Sequence, residues 1–100
     1  MSKTILLVDD SASIRKVISD AISEAGFNVK TAIDGVDALD KIDQETFSII
    51  MTDINMPNMN GLELVKRIKA HPLNRFAKVI VLTTEPYTQM NEKKDASGVN

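Results

Sequence analysis

The sequence predicts an α/β fold, a doubly wound parallel sheet covered by helices. Short apolar runs alternate along the 100 residues with segments whose apolar residues recur at helical spacing. Strands that alternate with helices predict parallel pairing through right-handed crossovers. Two of the apolar runs end in carboxylates, at 9–10 and at 53. Because there are no repeats, linkers or low-complexity tracts, we expect residues 1–100 to form a single domain.

Composition excludes several classes of protein. The chain is 43% hydrophobic and 26% charged, as in a soluble globular domain. A net charge of -2 argues against a nucleic-acid surface, which needs a basic stripe. With no cysteine there is neither a disulfide framework nor thiolate chemistry, and the first apolar run is too short for a signal peptide or a membrane span. We therefore expect a cytoplasmic protein with neither nucleic acid nor membrane as a partner.

The first strand and helix are predicted from residues 4–25. Residues 4–8 form an unbroken apolar run, which is typical of a central strand covered on both faces. In the helix that follows, Ser11 or Ser13 is the predicted cap and Gly26 the stop. The predicted inward positions are Ile14, Val17, Ile18, Ala21, Ile22 and Ala25, and the outer face carries Arg15, Lys16, Ser19, Asp20 and Glu24.

The second strand and helix follow in residues 27–42. Apolar and polar residues alternate over 27–32, which predicts an edge strand. An Asp34-Gly35 turn then leads into a helix. Its predicted inward stripe is Val36, Leu39 and Ile42.

The second half predicts two more strands and a third helix. Residues 48–53 read as a buried strand that ends at Asp53, and a loop rich in Asn and Pro follows. Helical spacing resumes in Leu62, Leu64, Val65 and Ile68. His71-Pro72 ends that helix, and we interpret His71 as a structural residue that complements the helix dipole, not as a metal ligand. Residues 78–83 form the fourth strand, and Pro86 stands where a further helix would begin.

The acidic strand ends predict a metal site. If the strands at 4–8 and 48–53 are neighbours, Asp9, Asp10 and Asp53 converge in the crevice where α/β sheets bind ligands. Each like charge raises the pKa of the others unless a cation relieves the repulsion. Oxygen ligands without His or Cys favour Mg²⁺. Asp9-Asp10 as a simple helix cap is the plainer alternative.

Three stretches together resemble one family, the receiver domain of two-component response regulators, especially the stand-alone chemotaxis type. They are Leu-Leu-Val-Asp-Asp-Ser at 6–11, Asp-Ile-Asn-Met-Pro at 53–57 with Asn60-Gly61 after it, and Val-Leu-Thr-Thr-Glu at 81–85. The resemblance implies a flavodoxin-like strand order, 2-1-3-4. It also implies a domain that is incomplete at the C-terminus, because the family continues into a fifth strand, with a Lys-Pro pair, and a fifth helix.

The resemblance implies a role for each site residue. Asp53 looks like the phosphoacceptor for a histidine kinase, and Asp10 like a direct Mg²⁺ ligand with Asp9 assisting through water. Asp53 and the backbone carbonyl of Asn55 would complete the metal site. Thr83 looks like the switch hydroxyl, and Asn55 and Glu85 occupy positions that tune dephosphorylation. The phosphorylated domain would regulate a downstream effector protein and would not be an enzyme.

Three alternatives, of which the last fits poorly, and one further partner accompany this interpretation. One alternative is a binding module that is not phosphorylated. Another is an engineered or split fragment of a receiver domain. A Mg²⁺-dependent phosphatase with an Asp-x-Asp pair fits poorly because position 55 is Asn. We also expect an uncovered apolar edge on the fourth strand, to be covered by a second chain or a swapped copy.

Overall fold

Strands and helices alternate through residues 3–82, which are the residues that the computed structural model describes. The elements are β1 (Thr4–Val8), α1 (Ala12–Glu24), β2 (Asn28–Ala32), α2 (Gly35–Gln44), β3 (Ile49–Asp53), α3 (Gly61–Lys69) and β4 (Lys78–Leu82). All pairs of neighbouring strands are parallel, in the order β2-β1-β3-β4. The predicted fold class and strand order are confirmed.

The sheet register aligns the ends of the two central strands. Val8 of β1 pairs with Thr52 of β3, so the next residue of each strand, Asp9 and Asp53, lies at the same level of the sheet. Leu6, Leu7 and Val8 are completely buried, as predicted for a strand that helices cover. The acidic side chains therefore project from the ends of the two adjacent central strands of the sheet.

One face of the sheet is covered by α2 and α3. The buried residues of these helices are Gly35, Ala38 and Ile42 on α2 and Gly61, Leu64, Val65 and Ile68 on α3. The prediction that Val36 faces inward is wrong, since Val36 is 53% exposed. The buried positions of α2 are 35, 38 and 42, and at 100° per residue Val36 falls well outside the face that they share.

The cap and stop of α1 agree with the sequence, but its predicted inward stripe does not. The Ser11 hydroxyl accepts the N–H of Ile14, and Gly26 takes a left-handed φ of 95° just after the helix. Along α1, all of which is described, no residue is fully buried, and Val17 is 69% exposed. Helical spacing predicts which residues share a face, but the extent of their burial depends on what covers that face.

A buried asparagine joins the end of α2 to the start of β3. Asn74, which has no exposed surface, accepts the N–H of Phe47 at 2.7 Å. Its amide donates to the carbonyls of Ile42 and Glu45 at 2.9 Å. The side chain therefore satisfies three backbone groups that the chain reversal would leave unpaired in the core.

Two further findings concern the surface. On β4, which forms an edge of the described sheet, Val79 is buried while Ile80 is 36% exposed. None of the helices within residues 3–82 has the length and apolar character needed to span a bilayer.

Candidate metal centre

Three carboxylates meet at the carboxyl end of the sheet. Asp9 and Asp10 follow β1, Asp53 ends β3, and one oxygen of each lies within 4.8 Å of the others. Asp9 is only 5% exposed, Asp53 is half-buried and Asp10 is exposed. The structure thus brings together the three acidic residues that the sequence places at two strand ends.

Three hydrogen bonds, one to β2 and two from α1 and its cap residue, fix Asp9. Its backbone N–H donates to the carbonyl of Ala32, at the end of β2, over 3.1 Å. Its carboxylate accepts the N–H of Ser11 at 2.9 Å, and its own carbonyl accepts Nη1 of Arg15 at 2.7 Å. Arg15 was predicted to lie on the outer face of α1, but its side chain reaches back to the strand end. The backbone that leads into Asp10 is therefore held in one position.

The surroundings of Asp53 disfavour the negative charge of its carboxylate. Burial, and after it the negative charges of Asp9 and Asp10, raises the pKa of Asp53 above its ordinary value. The N–H groups of Ile54 and Asn55 bond to the carboxylate and oppose this shift without cancelling it. At 2.8 Å, the Ile54 N–H orients oxygen Oδ1. A cation shared by the three carboxylates would offset the electrostatic repulsion between them.

The donor set fits Mg²⁺. All three side chains offer hard oxygen atoms, which Mg²⁺ prefers over nitrogen and sulfur. Two of the three carboxylates are accessible enough to leave room for water or a phosphate oxygen, which this ion usually retains. The chemistry of the cluster is therefore compatible with a bound Mg²⁺ ion.

The loop at 54–60 lies beside the cluster and contains Asn55. The N–H of Gly61 donates to the Ile54 carbonyl at 2.8 Å and closes the base of the loop. Within the loop, Asn58 adopts a left-handed φ of 70°. Its side-chain amide donates to Asp34 at 2.7 Å. Asn60 caps α3 by accepting the N–H of Glu63. Asn55 is thus placed next to Asp53, but its role as a carbonyl ligand stays a prediction.

Three of the predicted residues cannot be compared with the structure. Thr83, Glu85 and Pro86 lie outside the described residues. Thr83 follows Leu82, which pairs with Asp53 in the sheet register. The switch and dephosphorylation roles of Thr83 and Glu85 therefore stay predictions.

The single histidine has a structural environment. Nε2 of His71 lies 2.7 Å from Asp43, and Nδ1 accepts the N–H of Leu73 at 3.1 Å. Since Nδ1 accepts, the proton sits on Nε2 and is donated to Asp43. With both ring nitrogens engaged, His71 ties the end of α3 to α2, in line with a structural interpretation.

Only weak sequence signals indicated the residues that support the cluster. Asp34 comes directly before a helical pattern, so its role as a helix cap could be predicted from the sequence. Asn58 follows a proline in a turn, where Asn tolerates a positive φ. Nothing local indicated that the two would bond to each other, or that Arg15 would bond to Asp9.

Comparison with known proteins places the chain in context. It matches the family model described as response regulator receiver domain over residues 5–99. It is 42% identical over 85 residues to the chemotaxis protein CheY1 of Helicobacter pylori, covering 81% of this chain and 67% of that protein. It is 43% identical over 96 residues to the sensor histidine kinase RcsC of Salmonella typhimurium, covering 96% of this chain. The chain spans only 10% of the length of RcsC.

Solved structures agree over the whole fold. The chemotaxis protein CheY4 of Vibrio cholerae superposes with a TM-score of 0.91 at 37% identity, covering 100% of this chain and 83% of that one. The response regulator TrrA of Thermotoga maritima, in complex with Mg²⁺ and BeF, superposes with a TM-score of 0.82 at 32% identity, covering 95% and 81% of the two chains.

Proposed function

This chain belongs to the response regulator receiver domain family, and we propose that it is a phosphoacceptor signalling domain in which Asp53 takes a phosphoryl group from a histidine kinase. Receiver domains are signalling domains of two-component systems, and two of the relatives above are chemotaxis proteins. The observation that carries the proposal is the meeting of Asp9, Asp10 and Asp53, with one oxygen of each within 4.8 Å of the others.

In the proposed reaction, an oxygen of the Asp53 carboxylate attacks the phosphorus of a phosphohistidine. The new O–P bond forms in line with the P–N bond that breaks, and the imidazole leaves with the electron pair of the P–N bond. An acyl phosphate on Asp53 results. Bound Mg²⁺ would neutralise charge on the phosphoryl oxygens. Asp10 would hold the ion directly, Asp9 through water, and Asp53 and the Asn55 carbonyl would complete the site.

The protein's own part in this reaction is positioning. The N–H groups of Ile54 and Asn55 hold the Asp53 carboxylate, so an oxygen is oriented before the donor arrives. The Ser11 N–H and the Arg15 guanidinium hold Asp9 from two sides. Little further chemistry is required, since phosphoryl transfer depends on alignment and charge neutralisation.

We extend the proposal to the response that follows. Thr83 would hydrogen-bond a phosphoryl oxygen only in the phosphorylated state, and such a bond, at about 1.5–3 kcal/mol, shifts a two-state equilibrium roughly ten- to a hundredfold. Asn55 and Glu85 would set how fast water attacks the acyl phosphate. The shifted conformation would regulate a downstream effector protein, so the domain would catalyse at most its own phosphorylation and dephosphorylation.

The remaining expectations are part of the same proposal. The chain works as one receiver domain over residues 1–100, in the cytoplasm, with a histidine kinase and an effector as partners and neither nucleic acid nor membrane. The chemotaxis relatives support this type of pathway. A second chain over the edge of β4 gains no support from the relatives and stays a prediction.

Intact-mass spectrometry after incubation with a small-molecule phosphodonor and Mg²⁺ tests the proposal. We expect a single phosphoryl adduct on the wild type, none on Asp53→Asn, and an undiminished adduct on Asp40→Asn, the matched control on the exposed face of α2. No adduct on a folded wild type would overturn the proposal and favour a binding module or a fragment. Turnover of a free phosphomonoester would instead indicate a phosphatase.

A further inference from the structure

Two loops meet beyond the carboxyl end of β1, on either side of the acidic cluster. One follows β2, whose last residue, Ala32, accepts the N–H of Asp9 at 3.1 Å. The other is the loop at 54–60, which follows Asp53. Since β1 lies between β2 and β3 in the sheet, a bond between these two loops spans the strand end where Asp9 and Asp10 lie.

That bond is made by Asp34 and Asn58. The Asn58 amide donates to Oδ2 of Asp34 at 2.7 Å, and the other oxygen of Asp34 accepts the N–H of Asp37 at 2.8 Å, which caps α2. Asp34 is 7% exposed, so water competes little for either oxygen. One buried carboxylate therefore starts a helix and anchors a loop together.

Close backbone packing accompanies the hydrogen bond. A Cβ on Gly35 would lie 2.7 Å from Cβ of Met59 and 3.0 Å from the Met59 carbonyl oxygen. Only a residue without a side chain permits this approach of α2 to the loop. The loop is thus held at two places. The Gly61–Ile54 hydrogen bond closes its base, and the bond from Asn58 to Asp34 holds residue 58 against the start of α2.

Asn55 lies between these two places. Its N–H bonds to the Asp53 carboxylate, and its own carbonyl, the proposed Mg²⁺ ligand, belongs to the next peptide unit of the same loop. Asn58 has a left-handed backbone conformation, and its side chain bonds to Asp34, the residue that caps α2. Asn55 therefore lies in a stretch of the loop that is held on both sides, by the Gly61–Ile54 bond and by the Asn58–Asp34 bond.

We propose that Asp34 and Asn58 are a pair of positioning residues for the metal centre: their hydrogen bond holds the loop at 54–60 so that Mg²⁺ binds more tightly, although neither side chain belongs to the acidic cluster. The inference rests on the proposed function, because it assumes that the cluster binds Mg²⁺.

Calorimetric titration of Mg²⁺ into four proteins tests the pair. Asn58→Gly removes the amide but keeps a residue that accepts a positive φ. Asp34→Ser keeps a good helix cap but lacks the second oxygen. We expect each single variant to bind Mg²⁺ about tenfold more weakly than the wild type. The double variant should bind no more weakly than either single variant, because one hydrogen bond is lost in all three.

A variant in the same loop provides the control. Asn60→Ser keeps a capping hydroxyl on α3 and leaves the Asp34–Asn58 bond in place, so its Mg²⁺ affinity should match the wild type. All titrations are run well below the melting temperature of the least stable variant. A purely structural pair would lower the melting temperature and leave the dissociation constant unchanged.

The outcomes separate the inference from the function on which it rests. If both single variants bound Mg²⁺ with wild-type affinity, the positioning role of the pair would be overturned, while the proposal of a metal centre would stand. Losses that add in the double variant would show that the two residues act separately and would also overturn it. Absence of Mg²⁺ binding by the wild type would overturn both proposals.

Discussion

The backbone carbonyl of Asp53 occupies the space that a side chain on Gly61 would need. A Cβ at Gly61 would overlap this carbonyl oxygen and lie 2.9 Å from both the Asp53 carbonyl carbon and Cα of Ile54. The first residue of α3 therefore lies directly against the strand end that carries Asp53, the proposed phosphoacceptor. Through this contact, the packing of α3 constrains the backbone position of Asp53 at the end of β3.

Gly61→Ala should destabilise the protein strongly. The atoms that the new methyl group meets belong to the backbone and cannot rotate away, so we expect the free energy of unfolding to fall by about 2–3 kcal/mol. Urea unfolding followed by circular dichroism measures the change.

Gly26→Ala is the control for this substitution. Gly26 has a φ of +95° but nothing within 4 Å of a built Cβ, so only backbone strain of about 1 kcal/mol applies. Equal losses at the two glycines would show that the contact with Asp53 has no energetic effect.

Asp53→Asn should stabilise the protein without metal, in a manner that depends on pH. The raised pKa of Asp53 means that its ionised form is less favourable in the folded than in the unfolded chain. Stability from the protonated form is fully present below the ordinary pKa of 3.8 and is lost as the pH rises through the higher folded pKa. The Asn variant avoids this loss, so its melting temperature should exceed that of the wild type at pH 7 in a chelator.

Thermal unfolding between pH 3 and pH 7 measures this effect. The advantage of Asp53→Asn should shrink as the pH falls and vanish below about 3.8. Asp40→Asn, on the exposed face of α2, controls for the substitution itself. An advantage that does not change with pH would show that the charge of Asp53 is not its cause.

Asn74→Ala should cost about 3 kcal/mol of unfolding free energy, because it leaves buried backbone groups of Phe47, Ile42 and Glu45 without their partner. Gln44→Ala is the control, since Gln44 lies exposed at the end of α2 and its loss should change stability by less than about 0.5 kcal/mol. A change at Asn74 as small as that at Gln44 would mean that water replaces the amide.

The fold was predictable where local pattern and burial coincide. The apolar runs gave each strand to within about one residue, and the caps at Ser11 and Gly26 followed from backbone chemistry. The burial of single residues was harder to predict from the sequence. Phe47 is 2% exposed and Phe76 is 88% exposed, although both are aromatic residues shortly before a strand. The difference arises from tertiary packing, which no short window of sequence contains.

The candidate site was predictable in its acidic groups and not in their supports. Asp9, Asp10 and Asp53 could be placed together because parallel strands end at one edge of the sheet. The Asp34–Asn58 bond joins residues 24 positions apart, and it depends on how two loops meet. Arg15 was assigned to an outer face because helical periodicity describes where a Cα lies, while its long side chain reaches back to Asp9.

Titration of Mg²⁺ into the wild type and Asp10→Ala tests most directly whether the carboxylates of two strand ends share one divalent cation. We predict one ion per chain for the wild type, no measurable binding for Asp10→Ala, and wild-type affinity for Asp40→Ala, whose carboxylate lies outside the cluster. Equal Mg²⁺ affinity in the wild type and Asp10→Ala would contradict a shared metal centre at Asp9, Asp10 and Asp53.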